Sequence, residues 1–368
     1  MRILLSSGIF PPQIGGPATY LPQIAKDLEG QGHEVTIVTL GDKNEVDIEG
    51  NMKVIKISRN SFLVVRMIRT TFRLFKESLK SEAVFSNGLF LETACAITIA
   101  RKRKRSVVKI VGDPVWERAR NNGQTSLNLS DFLAKRLNLG NVVIRKIYNL
   151  AWSAFEFRTA PSKELCVFID SQLHKNDAIH IPNGVDIPTE LKLDRDVDII
   201  CVSRLVKWKN VDLVIRAASK LNLSLVIIGD GPERKKLESL DNKLQAKADF
   251  LGQLPQDKVS AWLERSKYFL LLSDYEGLSF ALLEAMARGV VPVVSANEGN
   301  LSVIVSEKNG MVSSINLNKI VECINYLEQN PDIAASLSKV ATEDVCTKFN
   351  GEIQRRKVID LMLQGQRK

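Results

Sequence analysis

Two glutamates, Glu276 and Glu284, stand eight positions apart in the stretch SDYEGLSFALLEAMARGVVPVVS at 273–295. A turn-like EGLS precedes an apolar run that ends at Arg288-Gly289, and a short apolar strand follows. Ser279 is placed to cap a helix that stops at Gly289. Glu284 then lies inside that helix and Glu276 just before it, since eight residues make a little over two turns. The first N–H groups of such a helix, from Gly277 through Leu278, Ser279 and Phe280 to Ala281, lack intrahelical partners and favour a phosphate or diphosphate. A carboxylate beside that phosphate is useful only toward another group. Sugar and ribose hydroxyls are its natural partners, because ionised carboxylates accept hydrogen bonds from them.

Fixed cations accompany these acids. SRLVKWKN, at 203–210, sets Arg204 and Lys209 at the end of a strand, where they can neutralise a diphosphate. Read alone, they could equally be a surface pair on a loop. Near the other end of the chain, GIFPPQIGGPATY follows the first strand, and Gly15 and Gly16 let backbone amides approach a ligand closely. The loop lacks G-x-G-x-x-G, which argues against a dinucleotide-binding oxidoreductase. Asp113, where KIVGD runs out, reads about equally as a helix cap before Pro114 and as a site residue at a strand's carboxyl end. The histidines, His33, His174 and His180, have no metal-ligand spacing and read as structural.

The chain that must position these groups has 368 residues, enough for about two domains. Its net charge of +9 favours anionic partners. The five cysteines are scattered and odd in number, which suits free thiols in a reducing compartment. MRILLSSGIF reads as a first strand rather than a signal peptide, and no apolar run approaches the ~20 residues of a spanning helix. Residues 2–7, a helix with Leu21, Ile24, Ala25 and Leu28 on one face, and EVTIVTL make a strand–loop–helix–strand unit of a parallel sheet. A second such series begins at VDIICVSR. Residues 61–80 form a basic amphipathic helix: Arg66, Arg69, Arg73, Lys76 and Lys80 recur at steps of three and four, and so do the apolar residues. Phe62, Phe72 and Phe75 are expected to face the core. The cations, together with RKRKR at 101–105, are expected to favour an anionic membrane surface. No reading module or interleaved aromatics accompany that run, so no nucleic-acid partner is expected.

The 273–295 stretch, with E-G before the helix and E-A-M-A-x-G-x-P-V after it, resembles the E-x-x-x-x-x-x-x-E signature of retaining glycosyltransferases of family four. SRLVKWKN is similar to that family's G-R-L-x-x-x-K-G, with Ser203 and Asn210 in place of the two glycines. HIPNGVDIP, FLGQLP and the P-P-x-x-G-G loop match further segments, and EGNLSVI matches in part a glycine pair and glutamate after the last core strand. The resemblance implies an α/β GT-B fold: two Rossmann-like, doubly wound parallel-sheet domains facing across a cleft. The expected division is an acceptor-binding domain at 1–182, joined by a C-terminal crossover helix at about 350–368, and a nucleotide-sugar-binding domain at 183–349. The implied enzyme is a hexosyltransferase that moves sugar from a UDP- or GDP-linked donor to a glycan or lipid-linked acceptor. Such an enzyme would serve surface polysaccharide or glycolipid synthesis, in the cytoplasm or peripherally at the inner face of the membrane. On this reading Glu276 and Asp113 are catalytic, with Asp113 positioning acceptor or sugar. The donor is held by Gly15, Gly16, Arg204, Lys209, Leu254, the Gly277–Ala281 helix start and Glu284. No cofactor or metal is expected, because the cations can do a metal's work. Two rivals remain: a nucleotide-sugar epimerase of the same architecture, and a basic nucleic-acid or membrane-binding module.

Overall fold

The computed structural model describes residues 1–13, 15–103, 105–125, 127, 129–134, 137–190 and 195–364; Lys104 of the basic run lies outside them. The chain divides into two compact units, one of residues 1–181 with 355–368 and one of residues 182–354. Each is built on its own sheet.

The first unit contains β1 (Arg2–Ser7), β2 (Glu34–Gly41), β3 (Glu45–Glu49), β4 (Met52–Ser58), β5 (Ala83–Asn87), β6 (Ser106–Lys109), β7 (Phe157–Ala160) and β8 (Ala178–His180). Its helices are α1 (Gly16–Gly30), α2 (Leu63–Lys80), α3 (Phe90–Ile99), α4 (Pro114–Asn121), α5 (Leu129–Ala134), α6 (Leu139–Ser153) and α7 (Lys163–Leu173). The strands lie in the order β3-β4-β2-β1-β5-β6-β7-β8, all parallel except β3 against β4. β1, the central strand, is buried from Ile3 to Ser7, and its Leu5 pairs in register with Ile37 on one side and Phe85 on the other. The chain works outward from β1 to β4 and then returns to the opposite side of β1 with β5. The topological switch point, where open α/β sheets bind ligands, is therefore at the carboxyl ends of β1 and β5.

The second unit contains β9 (Val197–Val202), β10 (Leu225–Ile228), β11 (Asp249–Gly252), β12 (Ser266–Leu271), β13 (Val291–Ser295) and β14 (Met311–Ser313), in the parallel order β11-β10-β9-β12-β13-β14. Its helices are α8 (Val211–Leu221), α9 (Arg234–Leu244), α10 (Gln256–Glu264), α11 (Phe280–Ala287), α12 (Glu298–Leu301), α13 (Leu317–Gln329), α14 (Pro331–Lys348) and the start of α15 (Gly351–Leu363). Alternate residues of each strand feed two cores. Ile200, Val226, Phe269 and Val294 pack with α10, α11 and α14, whereas Ile199, Ile227, Leu270 and Val293 pack with α8 and α13. A sheet buried on both faces explains the nearly continuous apolar strands. Here the switch point lies between β9 and β12.

The boundaries follow from pairing. Val185 donates its N–H to Phe349, and Gly351 donates back to Val185, so both connecting segments belong to the second unit. A Cβ on Gly184 would lie 2.7 Å from the Gly351 Cα, which is why the connector carries glycine there. The change of unit falls within α15, where Arg355 reaches Asp27 at 2.6 Å and Gln23 at 3.1 Å on α1.

One expectation is overturned. The stripe of α2 expected to cover the core stands in solvent: Phe62 is 89% exposed, Ile68 65% and Phe72 56%, and only Phe75 is partly covered. The buried face is Thr70, Leu74, Glu77 and Ser78. Two small polar side chains let α2 pack closely, and Glu77 is neutralised there by Arg73 at 3.0 Å and Lys53 at 3.9 Å.

Lys109 ends β6 with 2% exposure, its ammonium 3.5 Å from the centroid of the Tyr20 ring. Burial pushes its pKa down to about 7 and pushes that of Tyr20 up. The unfolded chain therefore holds a proton that the folded chain gives up between about pH 7 and its ordinary value of 10.5. Stability from this group rises across that window and is lost as pH falls through 7. Lys109→Met is expected to raise the thermal midpoint at pH 7 by more than ~1 kcal/mol of equivalent stability and to flatten the rise above pH 7, as read by scanning calorimetry across pH.

Candidate functional site

The second unit gathers most of the singled-out residues at its switch point. After β9 the chain turns through Arg204 and a short 3-10 segment, Lys207–Lys209, to Asn210; after β12 it runs through Ser273, Asp274 and Glu276 to the start of α11. Lys209 Nζ forms an ion pair with Glu276 Oε1, and Ser273 Oγ donates to that same oxygen at 2.6 Å. The proposed diphosphate cation and the proposed sugar carboxylate thus touch each other. Arg204 is exposed, with no ion pair among the described residues.

Of the two departures from the family pattern, the one at Asn210 has a physical account. Asn210 adopts φ 49°, the left-handed region that glycine prefers and asparagine tolerates. Its side chain donates to the Leu272 carbonyl at 2.9 Å and to Asp274 at 2.8 Å, a clamp between the two loops that glycine lacks. Ser203 in place of the first glycine has no structural explanation; its backbone is packed by Gly229, where a Cβ would lie 1.9 Å from the Ser203 carbonyl oxygen. Gly231 does the same for Leu205, and the Leu205 N–H donates to Asp230 at 2.9 Å.

A third loop braces Glu276 from behind. The Ser295 hydroxyl and the Asn297 amide both donate to the Ser273 carbonyl, at 2.6 and 2.9 Å. A Cβ on Gly299 would fall 2.1 Å from the Glu276 carbonyl oxygen, so only glycine fits. The EGN run, a partial match in sequence, therefore keeps the glycine that its contact requires.

α11 is capped as expected. Ser279 Oγ accepts from the Leu282 N–H at 3.3 Å, and Gly289, at φ 67°, ends the helix. Gly277, Leu278 and Ala281 donate their N–H groups to no protein acceptor among the described residues. Asn183, in the PNG segment, donates to the Leu278 carbonyl at 2.7 Å and fixes that peptide. Glu284 lies one turn further in and is 7% exposed. Burial pushes its pKa up to about 7 against a hydrogen bond from Gln256 and the charge of Arg288. Gln256 opens α10 directly after Leu254, so the FLGQLP segment and Glu284 meet; Leu254, Phe280 and Ala281 pack on one core.

The first unit has a switch point of its own. Gly15, at φ 149°, precedes α1, which begins at Gly16. The loop before it is held by Arg59, which donates to the Gly8 carbonyl at 2.5 Å and to Gln13 at 2.6 Å. Gly88, after β5, faces Gly8 so closely that a Cβ would meet its nitrogen at 2.8 Å. This loop is therefore at the switch point of its unit. Asp113 is fully buried, caps α4 by accepting from the Val115 N–H at 3.0 Å, and pairs with Arg145. Burial raises its pKa in spite of that partner. Its carboxylate faces no solvent, so the structure realises the cap reading and brings Asp113 to no open site.

Two positions here carried no signal of their own in the sequence: Ser273 bonds Glu276, and Asn297 bonds the Ser273 carbonyl. In DRDVD at 194–198, Asp194 lies outside the described residues, and Asp196 and Asp198 lie at the opposite, amino end of β9. There Asp196 pairs with Arg265, and Asp198 bonds Lys267 at 2.7 Å and Ser224 at 2.8 Å.

Residues 186–344 match the family described as glycosyl transferases group 1. The chain is 25% identical to a phosphatidylinositol N-acetylglucosaminyltransferase component from Arabidopsis thaliana, over 80% of this chain and 67% of that one. It is 24% identical to an alpha-monoglucosyldiacylglycerol synthase of Acholeplasma laidlawii, over 95% and 93%. Its fold resembles that of Anabaena HepE, solved with UDP and glucose, at a TM-score of 0.78 and 16% identity, covering 99% of this chain and 100% of that one.

Glu284 sets a pH dependence. Its folded pKa is raised, so its contribution to stability is complete below its ordinary 4.5 and is lost as pH rises to about 7. Glu284→Gln is expected to stabilise the ligand-free protein at pH 8 by on the order of 1–3 kcal/mol and to leave it unchanged near pH 4, as read by thermal unfolding at both pH values.

Proposed function

We propose that this chain, a group 1 glycosyltransferase of GT-B fold, moves a hexosyl group from a nucleotide-diphosphate sugar to a hydroxyl of a glycan or lipid-linked acceptor, with retention at the anomeric carbon. The observation that carries the proposal is the switch point of the second unit. There Lys209, Glu276, the exposed Arg204 and the undonated N–H groups at the start of α11 belong to adjoining loops. In this reading the arriving diphosphate takes Lys209 from Glu276 and is held by Arg204 and the helix start. Glu276, released, accepts from donor-sugar hydroxyls, and Glu284 accepts from ribose hydroxyls. The bond between the anomeric carbon and the phosphate oxygen breaks, and its electron pair leaves with the nucleoside diphosphate. The acceptor oxygen bonds to that carbon on the same face, and its proton passes to the departing phosphate oxygen. The cations stabilise the charge that develops on the leaving group. Two fixed cations beside a diphosphate support a reaction that needs no divalent ion.

The names of relatives support the lipid-linked end of the acceptor range, since two carry phosphatidylinositol and diacylglycerol. UDP and glucose in the HepE structure support a nucleotide-sugar donor. Among the described residues no helix is long and apolar enough to cross a membrane. Peripheral work at an anionic cytoplasmic face is the corresponding proposal for location.

The proposal is tested by titrating UDP and GDP into the protein in a calorimeter and following donor turnover by NMR, which also reads the anomeric configuration. Arg204→Ala with Lys209→Met is expected to lower turnover by roughly 10²–10³ or more with a native circular dichroism spectrum. Full activity in the double variant would remove the diphosphate assignment. EDTA is expected to leave most activity; a loss that one divalent ion alone restores would show a metal in the reaction.

A further inference from the structure

α2 has three faces. At 100° per residue, the buried set Thr70, Leu74, Glu77 and Ser78, the cationic set from Arg66 to Lys80, and the apolar set Val64, Ile68, Phe72 and Leu79 are centred roughly 120° apart. The apolar set is the one left in solvent. It borders a groove of about 580 Å³ in which Val64, Ile68, Phe72 and Phe75 of α2 face Ile99, the last residue of α3, with Thr71 as the polar side chain of the lining. α3 packs between α2 and α6. α6 repeats the pattern, since Leu139, Val143, Ile147 and Leu150, at steps of four, four and three, are all exposed along one face. A soluble surface rarely leaves two neighbouring helices with such stripes.

Charge selects the occupant. The one acid of α2, Glu77, is buried between Arg73 and Lys53, so every exposed charge on the helix is positive. Lys76 folds over the Phe72 ring at 4.5 Å to its centroid, which sets a cation at the rim of the apolar face. Directly after Ile99 come Arg101 and Arg103, both exposed, and Lys146 stands exposed on α6. A second copy of the chain docking through this face would set these cations against one another. The groove is lined by apolar side chains, Met67 among them, with the one hydroxyl of Thr71, and offers no array of directional donors with which to read a peptide.

We infer that the α2–α3–α6 surface seats in an anionic lipid leaflet, with Ile68, Phe72 and Leu79 among the acyl chains, the groove beside Ile99 filled by lipid chain, and Arg69, Lys76 and Arg101 at the phosphates. An interfacial helix binds in this way, by apolar burial plus attraction to anionic headgroups. The inference deepens the lipid-linked reading of the acceptor and rests on it for its purpose: a seated first unit meets acceptors that stay in the leaflet.

Flotation with vesicles of phosphatidylglycerol and phosphatidylcholine, or of phosphatidylcholine alone, tests it on the full chain. The wild type is expected to float with the anionic vesicles and to keep part of that binding at ~1 M salt, where charge attraction is screened and apolar burial is not. Phe72→Glu and Ile68→Glu, at exposed positions, are each expected to weaken partitioning about tenfold or more, through lost side-chain burial. Arg69→Gln with Lys76→Gln is expected to remove only the salt-sensitive part. Glutamate variants that float like the wild type, or binding that salt removes entirely, would overturn the inference. So would a concentration-dependent dimer dissolved by Phe72→Glu without any flotation, which would assign the face to a second copy. UDP and GDP calorimetry on the same variants separates the two claims. Nucleotide binding with failed flotation leaves the transfer reading standing, and flotation without nucleotide binding leaves the surface.

Discussion

The ion pair between Lys209 and Glu276 holds together the two loops at the switch point of the second unit. An ammonium and a carboxylate side by side at a sheet's switch point are each costly to leave alone, and each neutralises the other. The pair forms only because the loops approach within side-chain reach. That approach is set by the Asn210 clamp and by the Asp274 N–H, which donates to the Trp208 carbonyl at 2.8 Å; each loop is also seated on a further neighbour by a contact that tolerates no Cβ, Gly229 against Ser203 and Gly299 against Glu276. In the proposed role a diphosphate would offer Lys209 more negative charge than one carboxylate does, and the resting pair would hold the ligand's place. It keeps both groups in position without the mobility that two unpaired long side chains would have.

What the sequence made legible is what short-range patterns encode. Strand spacing, the cap at Ser279, the stop at Gly289 and the cations after β9 are local, and the structure contains each of them. The switch points were not legible in the sequence, since both follow from which strands flank the central one, and that order comes from the structure. What it concealed is where each surface points once packed. The α2 periodicity was clear, but periodicity shows only that faces differ. Leu74 between Thr70 and Ser78 made the better contact, because small side chains let the helix approach, and the larger Phe72 and Ile68 were left outside. Asp113 carried two readings that composition cannot separate; burial and the Arg145 partner decide for the cap. Ser273 and Asn297 were invisible for a different reason, since the bond that joins them spans segments 24 residues apart in the chain.

Each unit also buries a group that water would rather keep charged. Lys109 in the first and Glu284 in the second are both shifted to a pKa of about 7, from opposite directions and by the same desolvation. Neither is a product of the helix and strand periods, which would place an apolar residue there. Local rules are commonly broken at functional positions. Glu284 fits that pattern, lying in α11 one turn beyond undonated N–H groups. Lys109 lies beneath the ring of Tyr20, which is itself on the helix that follows Gly15 and Gly16.

The environment of Glu284 couples protonation to nucleotide binding in the proposed role. In the ligand-free chain the Gln256 side chain favours the carboxylate against near-complete burial, and burial wins, so the proton is retained to about pH 7. Ribose hydroxyls donating to it would stabilise the ionised form and lower that pKa. Binding would then release a proton whenever the free protein is partly protonated, and by linkage affinity would rise with pH through about 7 and level off above it. Glu284→Gln presents an amide whose carbonyl still accepts but which carries no charge to strengthen the bond, so its affinity would be weaker and independent of pH in this range. The same burial that destabilises the empty site thus strengthens the hydrogen bonds the site makes when filled, because a low-dielectric surround raises the value of each one.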